Sequence, residues 1–427
     1  MRSLFLLDQG VRYLNHGSFG ACPKPVFDAY QRWQLELERQ PVQFLDRRVD
    51  EMLAASRARL GAYLGADPDD LVYFPNPTTA VNMVARSLAS PHSGFLRPGD
   101  EILTTDHEYG AMDRTWRFIC RRIGARYVRQ PIPLPVTTHE ELVDRFWAGV
   151  NERTRVIFIS HITSPTALIF PVAEICRRAR RAGLLTIVDG AHAPGQIALD
   201  LSEVGADFYT GACHKWLCAP KGSAFLYARR EVQGWLEPLV VSWGWNRDQP
   251  PGVQPSGVCE TSGGSSRFVD EQEWQGTRDI SAFLAVPAAI DFQAGHDWPR
   301  VRAACHELLR EARRRVEELT GLEPICPDSS EWYAQMAAFP MPPCNDVGAR
   351  HRNDDAAVDE RLPGDASPLL YDEYHIEVPI IEWNGRQFVR VSIQGYNTRE
   401  DVEALRTALG KSLLRGSCAT EFRVRVG

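Results

Sequence analysis

The sequence predicts an α/β fold, with a large domain built on a mostly parallel sheet and a smaller α+β domain after it. Three observations predict this. Short, nearly continuous apolar runs alternate with helical patterns from about residue 45 to residue 295. The pattern then changes to one long Arg- and Glu-rich helix over 298–319. Two strands over 376–381 and 388–393, and a last helix over 399–414, close the chain.

The elements follow in order. Met52, Leu53, Leu60 and Leu64 recur at helical spacing over 50–64. Strands are expected at 71–74, 101–104, 126–129, 156–159, 184–188, 207–209 and 224–227. Helices are expected at 78–88, 110–122, 139–150 and 172–182. Continuous apolar strands separated by helices need cover on both faces. Trp383, Asn384 and Gly385 mark the turn between the last two strands, and Thr398 is an N-cap candidate. Residues 340–366 are rich in Pro, Asp, Arg and Gly and read as an exposed loop or insertion. Residues 415–427 read as a loose tail. The expected division is an N-terminal segment (1–44) contributing to the site and the small domain, a large domain (45–295) and a small one (296–427).

Composition narrows the function. The net charge of −7 over 427 residues argues against bulk binding to nucleic acid or an anionic membrane. The ten cysteines form no C-x-x-C pair and no zinc-like or disulfide spacing, so free thiols in a reducing cytoplasm and no metal are expected. The apolar run Leu4 to Leu7 is too short for a signal core, and no stretch approaches a membrane span.

Three motifs carry chemistry. Lys215 lies between two short strands among Trp216, Leu217 and small residues, where desolvation makes a lysine a better amine nucleophile. Asp189 ends a buried apolar strand, and a carboxylate there is costly unless it meets a cation. A protonated pyridine nitrogen is such a partner, and an Asp–Lys pair of this kind is what pyridoxal 5′-phosphate (PLP) chemistry needs. His192 follows, either as a structural histidine or as a contact to the cofactor's ring oxygen. Thr78 and Thr79 open a helix after a strand and Pro77, and a helix N-terminus suits a phosphate.

These motifs occur in order with others: YLNHGSFGACP (13–23), FPNPTTAVN (74–82), TTDHEYGAM (104–112), SHITSPTALIFPV (160–172), VDGAHAPGQ (188–196), CHKWLCAPKG (213–222), WQGTRDISA (274–282) and RVSIQGYNT (390–398). Together they make the chain resemble the class V aminotransferase-like PLP enzymes of fold type I, closest to the isopenicillin-N epimerase-like branch. The resemblance implies a seven-stranded-type sheet, PLP bonded to Lys215, and Asp189 at its ring nitrogen. It implies a ring from Tyr109, or less well His107, stacked on the cofactor. It implies phosphate contacts from Thr78, Thr79 and His214, and His161 near the ring. Gly276 and Thr277 look like the segment reaching the phosphate of a partner subunit, so a homodimer with shared sites is implied. Arg390 looks like the clamp for the substrate carboxylate. Strand alternation places Arg390 opposite Val389 and Val391, and an arginine there suits bidentate recognition. Asn15 and His16 are further substrate-side candidates. The chain departs from its relatives at Ala212 and Cys213, where a Ser or Asn is usual, and at Ala167, where glycine is usual.

Fold and cofactor do not choose the reaction. An epimerase or racemase is favoured, with Lys215 on one face of the substrate and Tyr109, His107 or His16 on the other. The alternatives are a carbon–sulfur β-lyase of the ergothioneine-pathway type, a class V aminotransferase, and an inactive scaffold relative. A cysteine desulfurase is disfavoured because residues 371–378 contain no cysteine and Cys344 lies in the insertion. The pair Arg47 and Arg48 reads as a solvated helix start, with contact to an acidic substrate tail as the alternative.

Overall fold

The computed structural model describes residues 1–245, 266–342 and 366–415. Nearly all of the expected insertion, the tail after 415, Cys259, Cys344 and Cys418 lie outside the described residues.

Twelve strands are described: β1 (Arg12–Tyr13), β2 (Leu71–Phe74), β3 (Glu101–Thr105), β4 (Arg126–Gln130), β5 (Thr154–Ser160), β6 (Leu185–Asp189), β7 (Phe208–Ala212), β8 (Ala224–Ala228), β9 (Met336–Met341), β10 (Ile376–Glu377), β11 (Ile380–Trp383) and β12 (Arg386–Ser392). Seven of them form one sheet in the order β2-β8-β7-β6-β5-β3-β4. Pairing is parallel from β7 to β4, while β8 runs antiparallel to both β2 and β7. The carboxyl ends of β2, β3, β5, β6 and β7 therefore share one edge, where ligands bind in open α/β sheets.

Alternation along each strand feeds two cores. Val72, Ile102, Val156, Phe158, Ile187 and Phe208 enter one cluster. Tyr73, Leu103, Ile157, Ile159, Val188 and Tyr209 enter the other. The early helices are α1 (His16–Phe19), α2 (Lys24–Arg39), α3 (Val49–Leu64), α4 (Pro77–Leu88) and α5 (Gly110–Ile123). α4 and α5 supply Val81, Val84, Met112 and Trp116 to the first cluster. α3 supplies Leu53 and Leu60 to the second. Both faces are thus buried, which is why the strands are apolar throughout rather than alternating.

The second cluster runs on without a break into the C-terminal part. There the sheet β11-β12-β9 packs near the long helix Trp298–Thr320. The expected turn is tight: Asn384 and Gly385 both have positive φ (48° and 73°), so the hairpin closes between Trp383 and Arg386. Two expectations change. The 376–381 run is two pieces, β10 and β11. The strand β9 begins ahead of the Pro-rich stretch and pairs with β12 through Ala338 and Arg390; its small, mixed residues gave no clear period. The N-terminal segment joins this half: β1 pairs in parallel with β10, and Asn15 bridges Ser392.

Candidate active site

Lys215 stands on a turn hung between β7 and β8. The N–H groups of Cys213 and His214 donate to the Ser223 carbonyl at 3.1 and 3.2 Å, and the Cys218 N–H donates to the Lys215 carbonyl at 3.0 Å. His16 bonds that same carbonyl through Nε2 at 3.0 Å. Gly20 lets the N-terminal segment come this close, because a Cβ there would lie 2.0 Å from the His214 carbonyl oxygen.

The hydrogen bonds around Lys215 fix a tautomer. The Trp216 indole N–H, which can only donate, reaches His192 Nδ1 at 3.3 Å. Burial holds the His192 pKa well below its ordinary value, so the ring is neutral and its proton sits on Nε2. Nε2 lies 3.2 Å from Lys215 Nζ. A ring in this tautomer presents its N–H to the lysine nitrogen. A lysine attacks an aldehyde as the uncharged amine.

Asp189 ends β6, is 4% exposed, and accepts the Ala191 N–H at 3.0 Å. Burial raises its pKa, opposed by that N–H and by Lys215 when the lysine is charged. His161 lies one residue beyond Ser160, the register partner of Asp189, and its N–H donates to the Asp189 carbonyl at 2.9 Å. Its Nδ1 meets the Tyr209 hydroxyl at 2.9 Å, so Nε2 is the nitrogen left for a ligand. Burial lowers its pKa to about 4, so this nitrogen is uncharged.

The N-terminus of α4 borders an open cavity of about 460 Å³ lined by Thr78, Thr79, Asn82, Arg86 and Glu237. Asn76 caps the helix, accepting from the Thr79 N–H at 2.8 Å and from its hydroxyl at 3.0 Å. The Thr79 hydroxyl is thus committed to the cap, and Thr78 is the better donor for an anion. The His214 ring is half-buried, with Nδ1 2.9 Å from the Ser223 carbonyl. Tyr109 occupies the N-cap position of α5 and is half-buried.

Two sequence candidates are placed elsewhere. His107 is fully buried, with Nδ1 2.7 Å from Thr166 Oγ1 and Nε2 2.7 Å from the Ile132 carbonyl. Its ring packs 4.3 Å from that of Trp383. Both nitrogens are occupied within the protein, so it is neither the stacking ring nor an acid–base group. His16 is likewise enclosed, between the Tyr396 hydroxyl at 2.9 Å and the Lys215 carbonyl, and burial lowers its pKa to about 3. It positions the lysine turn and does not face substrate.

Arg390 is 5% exposed. It donates to the Ser164 carbonyl at 2.6 Å and hydroxyl at 3.1 Å, and to the Ser18 hydroxyl at 3.0 Å. Ser18 donates to Asn15 at 2.6 Å, and Asn15 donates to Glu377 at 3.1 Å. Asn15 therefore supports Arg390 through Ser18. Thr277 is exposed, following Gly276 at φ 92°. The backbone before it is anchored by the buried ion pair of Arg57 and Glu273 and by Arg278, which donates to the Glu273 carbonyl at 2.9 Å. Sequence reasoning missed Ser18, Ser164, Asn76 and Trp216. Only Asn76 carried a signal, as an Asn directly before Pro at a helix start.

An amine, a buried carboxyl group and an opening beside a capped helix start that has room for a phosphate fit PLP. Residues 13–405 match the family model for Aminotransferase class-V. The chain belongs to the class-V aminotransferase family. It is a PLP-dependent enzyme of fold type I. This class-V chain is 40% identical over 406 residues to an isopenicillin N epimerase of Amycolatopsis lactamdurans, covering 94% of this chain and 95% of that protein. It is 36% identical to an isopenicillin N epimerase of Streptomyces clavuligerus, covering 96% of each. A cysteine desulfurase of known structure from Escherichia coli superposes with a TM-score of 0.73 at 24% identity, over 96% of this chain and 97% of that one. That last likeness shows the fold alone. Among the described residues, no helix is long and apolar enough to cross a membrane, and no cluster of His, Cys, Asp or Glu is arranged for a metal ion.

Proposed function

We propose that the chain is an isopenicillin N epimerase-like epimerase or racemase, inverting the α-carbon of an amino-acid substrate. The observation that carries this reading is the Lys215 amine held against the Nε2–H of His192 on the Asp189 side of the sheet edge. Lys215 would bond the cofactor, Asp189 would meet its ring nitrogen, and Thr78 and His214 would hold its phosphate. When bound, PLP supplies an electron-withdrawing ring that makes the substrate's α-proton acidic. Arg390, kept rigid by Ser18 and Ser164, orients the substrate carboxylate. Lys215 Nζ takes or returns a proton on one face, and His192 Nε2 orients its lone pair. The Tyr109 hydroxyl is assigned the opposite face, because the structure uses His107 and His16 internally.

Thr277, exposed on its glycine bend, is assigned to the phosphate of a second subunit, which makes the working unit a homodimer. Sedimentation of Thr277→Ala alongside wild type, with PLP titration of both, tests this assignment: dimers with weakened PLP binding are expected. A monomeric wild type that binds PLP normally defeats it.

The reaction is tested by incubating holoprotein with candidate amino acids in deuterated water. Deuterium entering at the α-carbon with loss of optical activity is expected. Pyruvate with a thiol, or a 2-oxo acid with a new amino acid, points instead to a lyase or a transaminase. Arg390→Lys is expected to raise KM about 10- to 100-fold, because one ammonium replaces a fork making charge-assisted bonds of ~1.5–3 kcal/mol each. An unchanged KM for the preferred substrate removes Arg390 from carboxylate recognition.

A further inference from the structure

Asp106 and His107 open the connection between β3 and α5 that ends at Tyr109, and the chemistry above leaves both unused. Asp106 is buried and accepts four hydrogen bonds. Two come from β4 and the residues just after it: Arg129 reaches the Asp106 carbonyl at 3.2 Å, and the Ile132 N–H reaches one carboxylate oxygen at 2.9 Å. The other two come from the tip of the β11–β12 hairpin. The Trp383 indole N–H donates to the same carbonyl at 2.8 Å, and the Asn384 amide donates to the second carboxylate oxygen at 2.8 Å. That hairpin also carries Arg390, on β12.

A second route joins the same two parts. Burial disfavours charge on the His107 ring. The Ile132 carbonyl can only accept, so the neutral ring donates to it from Nε2, and Nδ1 accepts from the Thr166 hydroxyl at 2.7 Å. Thr166 lies in the turn that Thr163 closes, where the Thr163 N–H donates to the Leu168 carbonyl at 2.9 Å and the Ala167 N–H to the Thr163 carbonyl at 3.0 Å. Ser164 of that turn holds the Arg390 guanidinium through its carbonyl and its hydroxyl. The His107 ring in turn packs on the Trp383 ring. The contacts make a closed circuit from Arg390 through Ser164, Thr166, His107 and Trp383, and back along the hairpin to Arg390. A satisfied polar network of buried groups rigidifies what it joins.

We propose that Trp383 and Asn384 are positioning residues, which through Asp106 hold the connection ending at Tyr109 in a fixed relation to Arg390. This rests on reading Arg390 as the carboxylate clamp and Tyr109 as the group on the face opposite Lys215. The hairpin then sets how a substrate anchored on Arg390 is presented to Tyr109. The lysine turn is held by other contacts, from Ser223 and His16. Loosening the hairpin tip therefore costs proton transfer on the Tyr109 face and spares the Lys215 face.

The experiment uses Trp383→Phe, Asn384→Gly and the double variant, each with Tyr109 intact and as Tyr109→Phe. Phenylalanine keeps a ring beside His107 and leaves the Asp106 carbonyl its bond from Arg129. Glycine accepts the positive φ of position 384 and leaves the Asp106 carboxylate its bond from Ile132. Neither change orphans Asp106, and either single variant serves if the double variant does not fold. Holoproteins are incubated with substrate in deuterated water, and inversion is measured beside exchange with retention of the enantiomer that Lys215 deprotonates. Inversion is expected to fall about 10- to 100-fold in the double variant, the scale of a misplacement of about 1 Å, with retention exchange little changed. Once Tyr109 is Phe, the hairpin changes should subtract nothing further. In the apoprotein, amide hydrogen exchange over residues 105–112 should quicken. An equal fall in inversion and retention exchange, a loss that adds in full to that of Tyr109→Phe, or unaltered amide exchange overturns the proposal. If wild-type holoprotein exchanges no α-proton of any amino acid, the epimerase reading fails instead. The hairpin is then judged by amide exchange and by the visible circular dichroism of the holoprotein: a changed band in the double variant supports it, and an unchanged one overturns it.

Discussion

Lys215→Ala is expected to lower α-deuterium exchange by about 10⁴-fold, the upper end of what a positioned acid–base group contributes. The same change should abolish the stable adduct that borohydride forms between cofactor and chain. The argument is local. The turn that carries Lys215 is held by four backbone or ring contacts, and its Nζ lies 3.2 Å from Nε2 of a neutral His192. Lys221, the next lysine along, donates to the Gly20 carbonyl at 3.0 Å and is oriented by it. It does not substitute. The Lys215 side chain is half-buried, so its truncation should leave the fold intact and the apoprotein still able to take up free PLP. Exchange persisting in the variant at a tenth of the wild-type rate or more would remove the lysine from the centre of the mechanism.

Asp189→Asn is expected to reduce kcat/KM by roughly 10²–10³-fold, the scale on which a single preorganised electrostatic group acts at a developing charge. Asparagine keeps the size of the side chain and, through its oxygen, the bond from the Ala191 N–H. What it loses is the negative charge opposite a ring nitrogen. An uncharged ring withdraws electrons less strongly, so the deficit should fall on proton removal rather than on binding. Pre-steady-state exchange rates and PLP affinity, measured side by side, check this. Equal losses in both would mean that Asp189 only anchors the cofactor. The effect also has a pH sign. Burial raises the Asp189 pKa, so wild-type activity should decline as pH falls through the protonation of this acid, and the variant should lack that acidic arm.

Much of the site was legible in the chain because it rests on short motifs at strand ends. Lys215, Asp189 and the start of α4 each sit where a run of apolar residues stops and small or polar residues begin. Alternation alone placed Arg390 opposite Val389 and Val391, both of which pack in the core. The histidines were not legible in this way. His16, His107, His161 and His192 are all buried ionisable rings in motifs of the same kind, and only their partners separate them. Two of them turn both nitrogens inward, one is fixed by Trp216 against the lysine, and one retains a nitrogen for a ligand. Ser18 and Ser164 gave no signal, because a serine reads alike whether it meets solvent or a guanidinium.

The sequence by itself determined the alternation of strands and helices and the two-faced burial of the sheet, and it pointed to Lys215 and Asp189 as the candidate amine and acid. These follow from periodicity and from the cost of burying charge, both local properties of the chain. Only the tertiary structure decided that β9 completes the small sheet and that α1 reaches the lysine turn past Gly20. Those contacts join residues tens to hundreds of positions apart. Their energies depend on which hydrogen-bond donors and charges meet in space, and no pattern along one strand records that.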